Sequence, residues 1–318
     1  MHASSAQGGD SSRPTRRTHS LHGGIAALAM LFLAAGSGQA TEGGGGHYPN
    51  GAEDFMAGAL PPPGTYFLNY LSYYTADRFN DEDGDKFFDR FDLHVVANTL
   101  RFIHVTGVQV LGASWALHAF VPFVNVDVEL RPVAGAPNLD DQRGGLGDII
   151  LDPFILGWHS KNWHFTVGLD IYVPTGAYDK DDLANIGRNY WTFEPVAAFT
   201  FLSDEGLEVS AKFMYAFNTE NDDTDYKSGQ EFHVDYTLGY HTGPWSLGLG
   251  GYYYKQTTKD KVDGDTFLDG FKGQAFAFGP QVKYDYKNMS FTLKWQHETN
   301  VENRPEGDVF WAKFLVAF

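Results

Sequence analysis

From Tyr66 to Phe318 apolar residues recur at every second position, the period of β-strands rather than of helices. In 207–217 Leu207, Val209, Ala211, Phe213, Tyr215 and Phe217 alternate with Glu208, Ser210 and Lys212. In 231–241 the apolar set shifts to the even positions Phe232, Val234, Tyr236, Leu238 and Tyr240. The same alternation marks 162–173 and 289–298. Runs of this kind fall near 65–76, 91–105, 114–130, 146–157, 162–174, 190–202, 206–218, 231–241, 244–256, 274–286, 289–299 and 309–318. Most are about ten residues long, the length with which a tilted strand crosses a bilayer. The runs at 91–105 and 114–130 break phase midway, which predicts a bulge or a different boundary there.

The connections alternate between two classes. Short ones lie near 106–113, 158–161, 203–205, 242–243 and 287–288. Longer ones lie near 77–90, 131–145, 175–189, 219–230, 257–273 and 300–308. Short turns on one rim and long loops on the other are the build of an outer-membrane barrel. The pattern therefore predicts an all-β fold: a transmembrane antiparallel up-and-down β-barrel of about 12 strands, with short periplasmic turns and long acidic extracellular loops. The apolar stripe then faces lipid and the polar stripe faces inward. Trp163, Trp191, Trp245, Tyr190, Tyr236 and Tyr240 are expected at the interfacial girdles. The last run places Phe310, Ala312, Phe314, Val316 and Phe318 on one side. An alternating strand ending in Phe318 resembles the signal read by the bacterial barrel-assembly machinery, which is expected as a partner.

Composition sharpens this picture. Aromatic residues make up 16% of the chain, with 26 Phe, 17 Tyr and 7 Trp, a ring content that a disordered acidic chain would lack. Residues 1–40 read as a signal peptide: Arg13, Arg16 and Arg17 precede an apolar stretch from Ile25 to Ala35, and small residues end at Ala40. That stretch is too short for a membrane-spanning helix, which needs about 20 residues. Residues 41–64, with GGGG at 43–46 and Pro61-Pro62-Pro63, form either a flexible N-terminal lead-in or a short plug. Residues 65–318 form the barrel. The formal charge of −17, from 23 basic and 40 acidic residues, argues against nucleic acid as a partner. No cysteine is present, so disulfides, thiolate metal sites and thiol chemistry are excluded.

If the polar stripe lines a lumen, its acids are Asp148, Asp152, Asp170, Glu194, Glu208, Glu231, Asp235, Asp285 and Glu298. Its bases are Lys212, Lys283, Lys294 and Lys313, and His233 joins them one pleat from Asp235. These side chains either set a selective polar path or pair with one another and fill the bore. Tyr66, Phe67, Tyr70, Tyr73 and Tyr74, with Phe154 and Trp158, are candidates for contacts to aromatic solutes or for girdle and packing roles. The outer loops carry acidic runs such as 81–85 and 222–225, which read as solvated rim or as a bridge through divalent ions to lipopolysaccharide. An EF-hand counted from Asp81 fails, because Lys86 stands where glycine is needed. No G-x-S-x-G, H-E-x-x-H or phosphate-loop motif occurs, and no catalytic residue, metal or cofactor is expected.

Five segments carry a family resemblance: GLGDIILDPFILGWHSKN (145–162), GLDIYVPTGAYDKDDLANIGRNYW (168–191), FNTENDDTDYKSGQEFHVDYTLGYH (217–241), GPWSLGLGGYYY (243–254) and KWQHETNVENRPEGDVFWAKF (294–314). The chain resembles the outer-membrane protein family named for the meta-pathway of phenol degradation. The resemblance implies a barrel in the outer membrane of a Gram-negative bacterium, helping small aromatic, phenol-like compounds cross for catabolism. It implies no catalytic or ligand residues. Two other readings stand beside it: a closed structural or adhesive barrel acting through its acidic loops, and an outer-membrane lipid-modifying enzyme. The latter has only the His159-Ser160 pair to draw on, in a turn expected at the periplasmic rim.

Overall fold

The computed structural model describes residues 41–268 and 270–318; the signal peptide expected at residues 1–40 lies outside the described residues. The strands in chain order are β1 (Gly64–Phe79), β2 (Arg90–Val110), β3 (Ala113–Arg131), β4 (Leu139–Leu146), β5 (Ile149–His159), β6 (Trp163–Val173), β7 (Thr192–Leu202) and β8 (Leu207–Asn218). There follow β9 (Tyr226–Lys227), β10 (Glu231–Thr242), β11 (Trp245–Gln256), β12 (Lys261–Val262), β13 (Asp265–Thr266), β14 (Gln274–Tyr286), β15 (Met289–Glu302) and β16 (Pro305–Ala317). The barrel runs β1-β2-β3-β5-β6-β7-β8-β10-β11-β14-β15-β16, each strand antiparallel to its neighbours. β16 closes it on β1, from Tyr66↔Ala317 to Phe79↔Pro305. Closure removes the free edges whose unpaired backbone groups a bilayer would not tolerate. The three two-residue strands β9, β12 and β13 form a small sheet in the loops.

β4 and β5 are two halves of one strand. β4 pairs with the outer half of β3 and β5 with its inner half, and the break falls at Gly147–Asp148. β5 carries a bulge after Asp152, whose carboxylate accepts the amides of Phe154 (2.8 Å) and Leu169 (2.9 Å). The bulge reverses the pleat, so Ile150 and Asp152 face inward above it and Ile155 below it. Phe154 is consequently 64% exposed on the outer surface, and Trp158 reaches the carbonyl of Leu111 in the neighbouring turn. Neither lines the lumen.

Side-chain burial is inverted relative to a soluble protein. Leu249 (57%) and Leu293 (59%) are exposed, while Glu194 and Glu208 are fully buried. That inversion is what a lipid-facing wall requires. Tyr190, expected at the girdle, lies inside against His47 instead, with ring centroids 4.8 Å apart.

The phase breaks in the second and third strands have another origin than a bulge. β2 and β3 pair in unbroken register from Arg90↔Arg131 to Val105↔Ala116, and the only register shift follows Val105. Alternation along the backbone continues; the environment on each side changes. In the outer half the inward residues are Phe91, Leu93, Val95 and Ala97 against Leu130, Val128, Val126 and Val124, while Asp92, His94, Asp127 and Glu129 face out. In the inner half Arg101 and His118 face in, and Phe102 and Leu117 face out. At about 3.3 Å per residue these strands of 21 and 19 residues overshoot a bilayer. Their outward carboxylates stand above the lipid, where Arg90 pairs with Asp92 and Glu129, and Arg131 with Asp89. The last connection is shorter than its expected span of 300–308, because β15 and β16 extend through most of it and leave Asn303–Arg304 as the turn.

A charge on the lipid face should be costly where the belt is deepest. Leu249→Arg is expected to lower the stability of the barrel in vesicles by about 2–4 kcal/mol. Urea titration of tryptophan fluorescence measures this, and Leu249→Ala should show a small fraction of the loss.

Candidate functional site

Residues 41–63 run through the inside of the barrel as an extended strap from the loops to the rim where β1 begins, and the inward polar stripe holds them. At the outer end Glu42 accepts Tyr178 Oη, Asn221 Nδ2 and Thr224 Oγ1. His47 bridges Asp148 (2.9 Å) and Thr192 (2.7 Å). Burial holds the His47 imidazole below its ordinary pKa, despite the neighbouring Asp148. The Asp148 carboxylate also accepts the amides of Gly176 (2.8 Å) and Arg188 (2.7 Å).

The middle of the strap is gripped by charges. Tyr48 Oη donates to Asp235 (2.5 Å), and the same carboxylate accepts the amides of Gly51 (2.9 Å) and Glu53 (3.0 Å). Lys294 Nζ donates to the carbonyls of Gly51, Ala52 and Glu53. Glu53 pairs with Arg101 (3.1 Å) and lies 3.8 Å from Lys212, and Asp54 pairs with Lys313 at 2.6 Å. Nearer the β1 rim the Met56 amide donates to Glu208 (2.6 Å), the Gly58 amide to Thr200 (3.0 Å), and Thr166 to the Gly58 carbonyl (2.8 Å).

The sequence-predicted lumen residues fall into three groups. Asp148, Glu208, Lys212, His233, Asp235, Lys294 and Lys313 touch the strap; His233 Nδ1 lies 2.7 Å from Asn50 Oδ1 and does not bond Asp235. Asp152, Asp170, Glu194, Glu231 and Glu298 are buried and bonded largely by the wall itself, as when Tyr74 and Tyr252 donate to Glu298; Glu194 accepts from Tyr172 Oη on Oε1 while its Oε2 has no hydrogen-bond partner. Lys283 and Asp285 pair with each other at 3.1 Å near the rim where β1 begins, with no hydrogen bond or ion pair to the strap among the described residues. Arg101, His118, Glu53 and Asp54 were not singled out from the sequence. Arg101 was hidden by the phase break of its strand, and the two acids by the featureless look of the lead-in.

His118, Asp152 and Asp170 stand close enough for a metal site. Their chemistry does not favour one. Arg101 can only donate to His118 Nδ1 (2.9 Å), so Nε2 carries the proton and donates to Asp170 (2.8 Å). Lys212, 3.7 Å from Asp170, supplies the compensating charge. In the β5–β6 turn Ser160 Oγ donates to the Trp163 carbonyl, and His159 faces His164 at 3.0 Å rather than the serine. The pair that the lipid-modifying reading would use is not assembled.

The strap leaves one side of the barrel open. Between it and β1–β3 lies a cavity of about 570 Å³. Its wall is made by the inward Phe91, Leu93 and Val95 of β2, Val124 and Val126 of β3, and Phe120. Above it Phe79 meets Phe88 and Phe91 edge to face, at 5.5 and 5.7 Å between centroids, while Phe88 and Phe91 stack on each other at 6.0 Å.

A closed ring of twelve tilted strands, apolar outside and carrying polar and chambered space within, defines a transmembrane β-barrel of the outer-membrane type. Within that class, the chain belongs to the family described as "Putative MetA-pathway of phenol degradation", whose model matches residues 76–314. Among solved structures it is similar to an outer membrane channel from Pseudomonas putida F1, at 20% identity and a TM-score of 0.74, covering 84% of this chain and 99% of that one. The β domain of the Bordetella autotransporter BrkA is more distant, at 8% identity and a TM-score of 0.45, with 80% and 100% covered. The transport unit of the autotransporter AIDA-I from Escherichia coli is comparable, at 8% identity and 0.44, with 83% and 93% covered. No protein of curated function matches the sequence.

The strap is closely fitted at Gly58. A Cβ there would lie 2.3 Å from the carbonyl carbon and 2.5 Å from the Cα of Phe199, main-chain atoms that cannot give way. Gly58→Val should therefore displace the β1-proximal half of the strap while the barrel stays folded. Single-channel recordings in planar bilayers should show a severalfold rise in conductance over the unaltered protein.

Proposed function

We propose that this protein is an outer-membrane channel for small, largely apolar aromatic molecules, with the cavity between the strap and β1–β3 as its receiving chamber. The inversion of polarity in the outer halves of β2 and β3 carries this reading. There the barrel spends apolar side chains on its inner face and polar ones on its outer face, an arrangement that serves a guest and not the bilayer. The cavity volume lies within the usual range for small-molecule sites, and its Phe79, Phe88, Phe91 and Phe120 rings suit edge-to-face contact with a guest ring. The family description points to phenol degradation, and the solved channel from Pseudomonas putida F1 shares the fold. In this reading a solute reaches the far side only when strap residues 55–60 shift.

The test is uptake into liposomes that carry the refolded chain, comparing phenol with a pentose and using protein-free liposomes as the baseline for phenol. Faster phenol uptake with little change for the pentose is expected. Val126→Asp, which puts a charge on the chamber wall, should slow phenol severalfold and leave the pentose unchanged. Equal acceleration of both solutes would mean a general pore. No acceleration of either would leave a closed barrel whose acidic loops do the work.

A further inference from the structure

The cavity wall is not wholly apolar, and its charged members differ in one respect. Six carboxylates border it: Glu42, Glu53, Asp148, Asp170, Asp182 and Glu298. Each already accepts hydrogen bonds or an ion pair from the protein, from Tyr178 and Asn221, Arg101, His47, His118, Arg143, and Tyr74 with Tyr252, respectively. Arg304, in the turn between β15 and β16, also borders the cavity and is not served in this way. Its guanidinium lies over the Tyr254 ring at 4.1 Å. Its Nε and Nη1 are buried and have no hydrogen-bond partner. Among the described residues no carboxylate pairs with it, and Glu298 on the same cavity wall is filled by two tyrosine hydroxyls and the Gly307 amide (2.8 Å).

A guanidinium that borders a cavity without a carboxylate partner leaves its charge unneutralised in a poorly hydrated place, and a carboxylate is the group that matches it best. The surface beside it is aromatic: Phe79 pairs with Pro305, the next residue, and leads into the Phe79–Phe88–Phe91 cluster on the cavity wall, while Tyr254 lies under the guanidinium. We propose that the chamber binds an aromatic monocarboxylate, with the carboxylate on Arg304 and the ring against the Phe79–Phe88–Phe91 cluster. The proposal deepens the channel reading and rests on the chamber being its solute site. Arg304 sets the preference among aromatic solutes, and the phenylalanine wall holds any of them.

The experiment titrates benzoate, benzyl alcohol and hexanoate into the full chain refolded in detergent micelles, followed by calorimetry. Benzyl alcohol carries the same ring without the charge, and hexanoate the same charge without the ring. Benzoate should bind at least about tenfold more tightly than either, as a charge-assisted pair in a dry site allows. Arg304→Gln should erase that gap while leaving benzyl alcohol binding unchanged, which also reports an intact chamber. Should Arg304→Gln not refold, Arg304→Lys keeps the charge but loses the fork, and a reduced gap is expected. If benzoate and benzyl alcohol bind alike, or the gap survives Arg304→Gln, the carboxylate assignment is wrong while the chamber stands. Hexanoate matching benzoate overturns the ring assignment. If no probe binds, the chamber itself is not a solute site, and both the inference and the channel reading fall.

Discussion

Lys294 from β15 holds the carbonyls of Gly51, Ala52 and Glu53 while Asp235 from β10 holds the amides of Gly51 and Glu53. The inside of the barrel is organised around this grip on one short piece of backbone. A buried ammonium or carboxylate is tolerable only when partners replace its water, and losing one partner of such a pair typically costs about 3–5 kcal/mol. Nine acids set against four lysines in the predicted stripe could not neutralise one another. The strap adds what the wall lacks, a run of amides for the acids, a run of carbonyls for Lys294, and the carboxylates Glu53 and Asp54 for Arg101, Lys212 and Lys313.

The strap also decides where empty space remains. Among the described residues its polar partners on the barrel wall come from the β4–β5 break round to β16, apart from Arg101 on β2 and Tyr66 at the rim end of β1. The outer halves of β1–β3 therefore face no strap hydrogen bond, and a polar inner surface there would have had nothing to pair with. Apolar residues fill those inward positions, and the cavity sits against them. The polar network and the apolar chamber are two consequences of one off-centre segment.

Much of this was legible in the chain. Alternation placed the strands to within a few residues, as at 274–286 and 231–241, because lipid outside and polar groups inside impose opposite demands on successive side chains. The same logic misled at 91–105 and 114–130, where the outer surface is wet and the inner one greasy. Period alone carries no label for which side is which, so an exchange of environments looks like a slip of register. At Phe154 the error ran the other way: a true bulge, capped by Asp152, passed unseen within a continuous apolar run. The path of residues 41–63 was not readable, since glycine- and proline-rich sequence looks the same threaded through a bore as free in solvent. What fixes it are long-range partners such as Tyr48 with Asp235, 187 positions apart.

The distribution of anchors along the strap bears on how such a barrel can open. Residues 51–54 are held by three lysines, an arginine and an aspartate in a low-dielectric interior, where charged hydrogen bonds are strongest and unpaired charges most costly. Beyond them the hold weakens: one carboxylate on the Met56 amide, then threonine hydroxyls on Gly58, then the Leu60 side chain against Gly157. Withdrawing the whole strap would expose every buried charge at once and cost a large part of the stability of a domain of this size. Shifting residues 55–60 alone breaks few bonds, and those few can be remade with water entering from the nearby rim. Any opening compatible with a folded barrel is therefore a local yielding of the β1-proximal segment against a middle that stays fixed.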